Sequence, residues 1–267
     1  MPLRSVNAVR YITPLREGGS MPALVEADDG QQYVVKMRGA GQGTLALVAE
    51  LVVGEIARAL GLLVPELVFV HIDPLFGRAE RDPEIRDLLR ASPGINIGLK
   101  FLSGATMFDP AAGDTVDPRT ASLAVWLDAF TLNVDRTSRN ANLLLCRASG
   151  RSGQTVWLID HGAALYFHHN WPSAEQKALA PFEQITEHIL LRWATEMPAA
   201  STHAHAVLTA ELLANIVAQI PDDWLETEGS EASAEQRRGE YLRFFLRRLE
   251  HSSIFEEEVE RARAHSV

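Results

Sequence analysis

Short apolar runs separated by turn residues fill the first third of the chain, a pattern typical of antiparallel strands. Residues 23–27 and 32–36 are two such runs, and Asp28-Asp29-Gly30 lies between them. Aspartate followed by glycine favours a tight hairpin because both residue types tolerate a positive φ. Two further runs, residues 67–72 and 95–102, extend the predicted sheet. The N-terminal part is therefore predicted to be an antiparallel sheet.

A helical pattern covers residues 49–61 and is predicted to end at Gly61, because glycine commonly follows the last helical turn. Apolar residues recur in it every three or four positions and form one face. Glu50 falls at the edge of this face, whereas Glu55 points away from it. An unpaired buried charge is costly, so Glu50 needs a cation. Lys36, at the end of the preceding predicted strand, is the available partner.

The second part of the chain is predicted to be mainly helical. Residues 119–132 form a helix with an apolar face, and two short strands follow at residues 143–146 and 156–159. Further helical spacing covers residues 182–197, 204–220, 234–249 and 254–264. A sheet with one helix, followed by a mainly helical region, is an α+β organisation with two lobes. We place the lobes at residues 1–103 and 104–267.

The composition of the chain restricts the class of protein, its location and its partners. The chain has 267 residues, 46% of them hydrophobic, which is enough to bury a sizeable core. No run of eighteen apolar residues occurs in the sequence, so no membrane span is expected, and the first residues lack the apolar segment of a signal peptide. Together with a single cysteine, Cys146, this favours the cytoplasm. The net charge of −10 argues against nucleic acid as a partner.

Polar residues next to predicted strands supply the candidate chemistry. Asp135 precedes Asn140 by five positions in the loop after the helix at 119–132, and Asp160 follows the last predicted strand. Because the two strands after the loop run antiparallel, Asp160 is expected beside Asn140. Phosphoryl transfer uses such a set, with one acid for the hydroxyl proton and the other two residues for Mg²⁺. The spacing alone is common in polar loops.

The loop resembles that of the HipA-like kinases and, more distantly, that of the phosphatidylinositol kinases. These families carry Asn-x-Asp-Arg-His-x-x-Asn, followed by a strand that ends in aspartate. Their pattern is matched position by position by Asn133, Asp135, Arg136 and Asn140. Thr137 departs from it, since the families have histidine there. The resemblance covers about residues 31–165 and includes the family segment Leu-Gly-x-x-Val-Pro, present here as Leu60-Gly61-Leu62-Leu63-Val64-Pro65.

The resemblance implies a bilobal protein-kinase-like fold, with an N-terminal antiparallel sheet plus helix and a mainly helical C-terminal lobe. It also implies an ATP- and Mg²⁺-dependent phosphotransferase that acts on Ser or Thr of a protein or of itself. The implied roles are a base (Asp135), metal ligands (Asn140 and Asp160), a phosphate contact (Lys36) and the anchor of that contact (Glu50). The expected partners are a nucleotide and a protein or small-molecule hydroxyl acceptor.

Two further parts of the sequence are assigned to the nucleotide. The predicted contacts are Gly18, Gly19 and Ser20 in a glycine-rich turn, and Lys100, Phe101 and Leu102 at the hinge. Free backbone N–H groups in such a turn can cover phosphates. A second glycine-rich stretch, residues 39–44, lacks the Gly-Lys-Ser/Thr of a P-loop. Either stretch is alternatively a flexible turn, and Lys100 is alternatively a surface lysine.

Three other functions are left open by the sequence. A pseudokinase would bind nucleotide, or only a partner, without chemistry, and the change at Thr137 favours it. A kinase for a lipid or small molecule would use the acidic helical lobe to bind a cationic acceptor, as aminoglycoside kinases do. His168 and His169 suggest a zinc hydrolase, although the sequence contains no Cys/His metal spacing. The acceptor, the regulation and the oligomeric state are not determined by these patterns.

Overall fold

The computed structural model describes residues 2–15, 21–78, 80–147, 154–226 and 232–265. The strands of the N-terminal lobe are β1 (Arg4–Pro14), β2 (Ala23–Ala27), β3 (Gln32–Lys36), β4 (Leu67–Ile72) and β5 (Gly94–Lys100). They close into a barrel in the order β1-β2-β3-β5-β4. Four pairings are antiparallel, as predicted, while β1 and β4 run parallel, with Val6 beside Val70. A parallel pairing needs a long crossover, and the helix between β3 and β4 lies on that connection.

This crossover helix, α1 (Gly43–Ala59), begins earlier than residue 49, where the periodicity placed it. Its first turns carry apolar residues on several sides, so they show no clear helical period. The helix ends just before Gly61, as predicted, and Gly61 has the positive φ of 82° that favours glycine at this position. Most side chains of α1 are buried, because elements of both lobes pack against it.

The second lobe contains a small sheet in which β6 (Thr106–Met107), β7 (Leu143–Arg147) and β8 (Gln154–Leu158) lie side by side in that order. Helix α2 (Pro83–Arg90) lies between β4 and β5 of the N-terminal lobe. The α-helices of the second lobe, among the described residues, are α3 (Pro118–Thr131), α4 (Ala174–Ala178), α5 (Met197–Val207), α6 (Ala210–Val217), α7 (Asp222–Leu225), α8 (Ala234–Glu250) and α9 (Ser253–His265). The lobe is mainly helical, as predicted. The boundary between residues 103 and 104 stays a prediction.

Two of the predicted helices are wrong in extent. Residues 182–197 form two short 3₁₀ turns instead of one helix, because the backbone between those turns pairs with the loop after α3 through a bridge from His188 to Thr137. The helix predicted at 204–220 is divided into α5 and α6 at Thr209, whose side chain accepts a hydrogen bond from the backbone of α6. The predictions for α8 and α9 are confirmed.

Helix α3 forms the centre of the second lobe. Trp126 and Phe130 stack with ring centroids 5.0 Å apart, and Trp126 also meets Phe255 of α9 edge-on at 5.5 Å. All three side chains are fully buried. The helix is therefore a rigid base for the polar loop that follows it. Among the described residues, no helix is long and apolar enough to cross a membrane.

Candidate functional site

Three charged side chains meet at the junction of the two lobes. Lys36 ends β3, Glu50 lies in α1, and Asp160 follows β8. Lys36 Nζ donates to Glu50 Oε2 at 2.8 Å and to Asp160 Oδ1 at 2.5 Å. The side chains of Lys36 and Glu50 are 7% and 0% exposed, whereas that of Asp160 is 36% exposed. We call these residues the Lys36 cluster. The structure brings them together, and their catalytic roles stay predictions.

The charges of the Lys36 cluster stabilise one another. Burial alone would lower the pKa of Lys36, but the attraction of Glu50 and Asp160 outweighs burial and raises it. Burial alone would raise the pKa of Asp160, and Lys36 instead lowers it. Glu50 Oε2 also accepts the backbone N–H of His161 at 2.7 Å, while the buried Oε1 has no partner among the described residues. Glu50 thus holds the lysine of one lobe and the backbone of the other.

Asp135 lies in the loop between α3 and β7, next to two carboxamides. Asn140 Nδ2 donates to Asp135 Oδ2 at 2.7 Å, and Asn142 Nδ2 donates to the same oxygen at 3.2 Å. Within the part of the chain that the structure describes, Asp135 Oδ1 makes no hydrogen bond. One carboxylate oxygen is therefore fixed in place, and the other is available to accept a proton from a hydroxyl group.

A buried set of charges lies beneath this loop. Asn133 and Arg136 of this set belong to the loop motif, whereas Asp128 and His188 were not singled out from the sequence. Asp128 Oδ2, near the end of α3, accepts from Arg136 Nε at 2.5 Å and from His188 Nε2 at 2.9 Å. Asp128 Oδ1 accepts from Asn133 Nδ2 at 2.9 Å. We call these four buried residues the Asp128 cluster. It ties the end of α3 to the loop that carries Asp135 and to the segment around His188.

The protonation states in the Asp128 cluster follow from its contacts. Burial alone would raise the pKa of Asp128, but Arg136 and His188 lower it far below its usual range. Burial lowers the pKa of His188. His188 Nδ1 accepts the backbone N–H of Leu190 at 3.1 Å, so its proton is on Nε2, which donates to Asp128. The cluster therefore holds one anion and one cation, Asp128 and Arg136.

Arg136 connects the Asp128 cluster to the strands that carry the other site residues. Its Nη1 donates to the carbonyl oxygens of Asn142 at 2.5 Å and Ile159 at 3.3 Å, and its Nη2 lies 3.3 Å from His161 Nδ1. Asn142 and Asp160 have φ values of 50° and 54°, in the left-handed region that asparagine and aspartate adopt more readily than other non-glycine residues, and the Arg136 hydrogen bonds hold the backbone beside them. Arg136 is only 1% exposed, so it positions this backbone and does not face a phosphate.

A cleft of about 1140 Å³, measured out to its open mouth, lies between the lobes. Lys36, Asn140 and Asp160 form its polar end. The remaining wall is mainly apolar and includes Leu15, Pro22, Val34, Pro65, Leu99, Met107, Leu144 and Ile159. The predicted adenine contacts Lys100, Phe101 and Leu102 line the same cleft. An apolar slot that ends in charged groups suits a base with attached phosphates.

The hinge residues differ in what they offer to a base. The backbone N–H groups of Lys100 and Phe101 donate to the carbonyls of Glu66 and Gln32, each at 2.9 Å. Leu102 N–H has no partner among the described residues. The Phe101 side chain is 38% exposed at the edge of the cleft. Of the three predicted contacts, Leu102 is therefore the one whose backbone N–H is available to a base, and Phe101 adds apolar surface.

The other candidate residues are either outside the described part of the chain or placed away from this cleft. Gly18, Gly19 and Ser20 lie outside the described residues, so their contact with phosphates stays a prediction. The glycine-rich stretch at residues 39–44 packs against α2 instead, where a Cβ on Gly39 would come within 2.6 Å of Ala91. His168 is buried and its Nδ1 lies 2.8 Å from the Tyr241 hydroxyl. In the described ranges, no group of three or more His, Cys, Asp or Glu side chains is placed to hold a metal.

The polar end of the cleft nevertheless offers oxygen donors of the kind that Mg²⁺ prefers. Asn140 Oδ1 makes no hydrogen bond with the described residues, because its amide is oriented through Nδ2 toward Asp135. The carboxylate of Asp160 is partly exposed to the cleft. Mg²⁺ commonly takes only one or two protein oxygens and completes its shell with water and substrate phosphates. Asn140 and Asp160 fit such a site.

Known proteins share this architecture. A family model described as HipA-like kinase matches residues 8–258. Among solved structures, the Helicobacter pylori proinflammatory kinase CtkA aligns with a TM-score of 0.56 and 13% identity, over 98% of this chain and 99% of that chain. The Golgi casein kinase with Mn/ADP bound aligns with a TM-score of 0.51 and 11% identity, over 100% and 75%. No curated protein sequence matches the chain. At these identities the likeness shows the fold, which is that of a protein kinase.

Proposed function

Because this chain belongs to the HipA-like kinase family, we propose that it transfers the γ-phosphoryl group of Mg²⁺-bound ATP to a Ser or Thr hydroxyl of a protein or of itself. The observation that carries the proposal is that the predicted phosphate and metal contacts lie in one cleft. Lys36, Asn140 and Asp160 form its polar end, and Asp135 is one hydrogen bond from Asn140. The bound Mn/ADP of the Golgi casein kinase, which has the same fold, supports an adenine nucleotide and a divalent cation as ligands.

Lys36 is suited to the phosphate contact because two carboxylates keep its ammonium group charged and hold it at the cleft. Glu50 keeps the ammonium group at the cleft from the buried side, while Asp160 contacts it from the open side. Phosphate oxygens entering the cleft would take the place of Asp160 on Lys36, which leaves the Asp160 carboxylate to a cation. A Mg²⁺ ion held by Asn140 and Asp160 would neutralise charge on the phosphates.

Asp135 is suited to orient and deprotonate the acceptor. Its Oδ2 is held by the amides of Asn140 and Asn142, so Oδ1 is the oxygen that meets the hydroxyl. The hydroxyl proton passes to Oδ1 as the acceptor oxygen bonds to the γ-phosphorus and the bond to the ADP oxygen breaks. A positioned base of this kind contributes about 10²- to 10⁴-fold to the rate.

The test is phosphate transfer from γ-labelled ATP in the presence of Mg²⁺, to the protein itself and to a panel of unstructured proteins rich in Ser and Thr. Acid hydrolysis then identifies the phosphorylated amino acid. The informative variant is Asp135→Asn, which keeps the size of the side chain and removes its basic oxygen. The matched control is Asp87→Asn in α2, whose side chain is 72% exposed and is not among the residues that line the cleft.

We expect Asp135→Asn to lower the transfer rate by about 10²- to 10⁴-fold with nucleotide binding retained, and Asp87→Asn to leave the rate unchanged. Phosphoserine or phosphothreonine in the product supports the proposed acceptor. Nucleotide binding without any turnover in the wild type would instead identify a pseudokinase. Transfer to lipids or aminoglycosides, with none to protein, would overturn the acceptor and keep the kinase chemistry.

A further inference from the structure

The short helix α7 of the second lobe is bound to the first lobe through Trp224. This side chain is fully buried, its Nε1 donates to the carbonyl of Ile95 at 2.9 Å, and its ring meets Phe69 edge-on at 5.8 Å. The carbonyl of Trp224 accepts from Thr44 Oγ1 at 2.9 Å. Thr44 lies in the first turn of α1. Trp224 therefore joins two strands of the barrel and the start of α1 to the helical lobe.

Helix α1 is held by the second lobe at two more points. In the middle, Glu50 accepts the backbone N–H of His161 at 2.7 Å. At the C-terminal end, the carbonyl of Leu60 lies 3.1 Å from His203 Nε2 of α5. The contact with Trp224 is the one at the N-terminal end, where α1 has no side-chain cap of its own. The helix that carries Glu50 is thus fixed to the second lobe at its beginning, middle and end.

From this arrangement we infer that Trp224 is a positioning residue for the phosphotransfer reaction. Trp224 holds the start of α1 so that Glu50 stays on Lys36, and the Lys36 cluster is assembled before any ligand or partner arrives. The inference rests on the proposed function, since it assigns Trp224 a part in that reaction. Independently of the reaction, α1 is expected to become more mobile when its contact with α7 is weakened.

The buried position of Glu50 explains why such a contact matters. Glu50 is fully buried, and one of its oxygens has no partner among the described residues, so its place in the interior is costly and depends on Lys36 and His161. A swing of α1 that brings Glu50 into water would relieve that cost and leave Lys36 without its buried partner. The Trp224 contacts oppose this swing, because they join the start of α1 to α7 and to strands β4 and β5, which do not move with α1.

Two variants weaken the contact without touching the cleft. Thr44→Val removes the hydroxyl that donates to the Trp224 carbonyl and keeps a similar shape. Trp224→Phe removes the Nε1 donor and keeps an aromatic ring against Phe69. The matched control is Thr202→Val in α5, which deletes an exposed threonine hydrogen bond, to the Pro198 carbonyl, that does not involve α1. Hydrogen exchange of α1 amides, kcat with saturating ATP, and thermal unfolding are measured for all three.

We expect the amides in the first half of α1 to exchange about fivefold faster in each variant, because a hydrogen bond contributes that much to an opening equilibrium. The amides of α3 and α9 serve as the internal reference and keep their wild-type rates. The value of kcat should fall by about the same factor and not recover with more ATP. In a Glu50→Gln background, Trp224→Phe should have little further effect on kcat, because both changes act through one contact.

The inference is overturned if α1 exchanges as in the wild type in both variants, or if exchange rises equally in α1, α3 and α9, which would indicate general destabilisation. It is also overturned if the effects of Trp224→Phe and Glu50→Gln on kcat simply multiply. A protein that exchanges as expected but shows no transfer in any form would refute the proposed reaction and keep the structural role of Trp224. The two failures are therefore distinguishable.

Discussion

The Asp128 cluster and the Lys36 cluster lie on the two sides of the backbone at residues 159–161, and they are built differently. In the Asp128 cluster both carboxylate oxygens have partners, and every member is buried. In the Lys36 cluster one oxygen of Glu50 has no partner in the part of the chain that the structure describes, and the Asp160 side chain is 36% exposed. The first set has little bonding capacity left for a ligand, whereas the second retains some.

This difference distinguishes a cluster that supports the backbone, the Asp128 cluster, from one that can interact with a ligand, the Lys36 cluster. A buried ion pair whose groups are all hydrogen-bonded fixes the backbone around it, and its members have nothing to exchange with a ligand. The Asp128 cluster holds the loop of Asp135 in this way. A cluster with an exposed acid can exchange one partner for another, which is the behaviour that the proposed function requires of Asp160. Substitutions in the Asp128 cluster are therefore expected to lower stability, and substitutions at Asp160 are expected to lower activity.

The largest effect on stability is expected for Asp128→Asn. The change keeps the shape of the side chain but leaves Arg136 as a buried cation without its anion, so the free energy of unfolding should fall by about 3–5 kcal/mol. Urea denaturation measures it, with Asp87→Asn as the exposed control, for which a change within about 0.5 kcal/mol is expected. A loss of less than about 1 kcal/mol for Asp128→Asn would contradict the view that this cluster supports the loop.

Asp160→Asn should show the opposite behaviour, a large loss of activity with a small change in stability. Removing one charge that stabilises the transferred group lowers kcat by about 10²- to 10³-fold. The unfolding free energy should change by at most about 1 kcal/mol, because the side chain is partly in solvent and Lys36 keeps Glu50. Binding of Mn²⁺ in the presence of ADP should weaken in parallel. Unchanged Mn²⁺ binding would remove Asp160 from the metal site.

The Lys36–Glu50 pair was predictable from the sequence because its signals are local, whereas the contact of Asp160 with Lys36 was not predicted. Val34-Val35-Lys36 ends a strand, the period of α1 places Glu50 at the edge of an apolar face, and Asp160 ends another strand. The hairpin at Asp28-Asp29-Gly30 was predictable for the same reason, and Gly30 has the expected positive φ of 73°. In each case a few neighbouring residues decide the backbone shape and the direction of the side chain.

The Asp128 cluster was not predictable as a unit, because Asp128 and His188 join the motif residues Asn133 and Arg136 only in three dimensions. Asp128 is one acid within an apolar helix, and His188 comes from a segment that periodicity assigned to a helix. The backbone bridge from His188 to Thr137 overrides that local tendency. Thr137 departs from the histidine of the family pattern, and the histidine that reaches Asp128 comes from the facing segment. No pattern along the chain signals such a contact.

A buried base outside both clusters gives a smaller effect that depends on pH. Burial lowers the pKa of His168 to about 3, with a further contribution from His169. The unfolded chain binds this proton near a pKa of about 6.5, so below that pH the unfolded state binds more protons and stability falls with acidity. From pH 7 to pH 5 the loss due to His168 is about 2 kcal/mol.

His168→Phe removes this titration while keeping a ring in the aromatic cluster. Urea unfolding at the two pH values should therefore show a pH-dependent loss that is about 2 kcal/mol smaller than in the wild type, whatever the variant does to stability at pH 7. The comparison within each protein cancels the cost of the lost contact with Tyr241. An identical difference between pH 7 and pH 5 in both proteins would mean that His168 is not held neutral in the folded state.

The smallest effect is expected for an ion pair on the surface, Arg10 with Glu26. The two residues face each other across β1 and β2 at 2.5 Å, as close as Arg136 and Asp128, but the Arg10 side chain is 65% exposed. Water already solvates both charges, so Glu26→Gln should cost at most about 1 kcal/mol in urea denaturation, and less in 1 M salt, where the screening length is about 3 Å. Equal costs for Glu26→Gln and Asp128→Asn would mean that distance sets the strength of a pair in this protein. A much larger and salt-independent cost for Asp128→Asn would show that burial sets it.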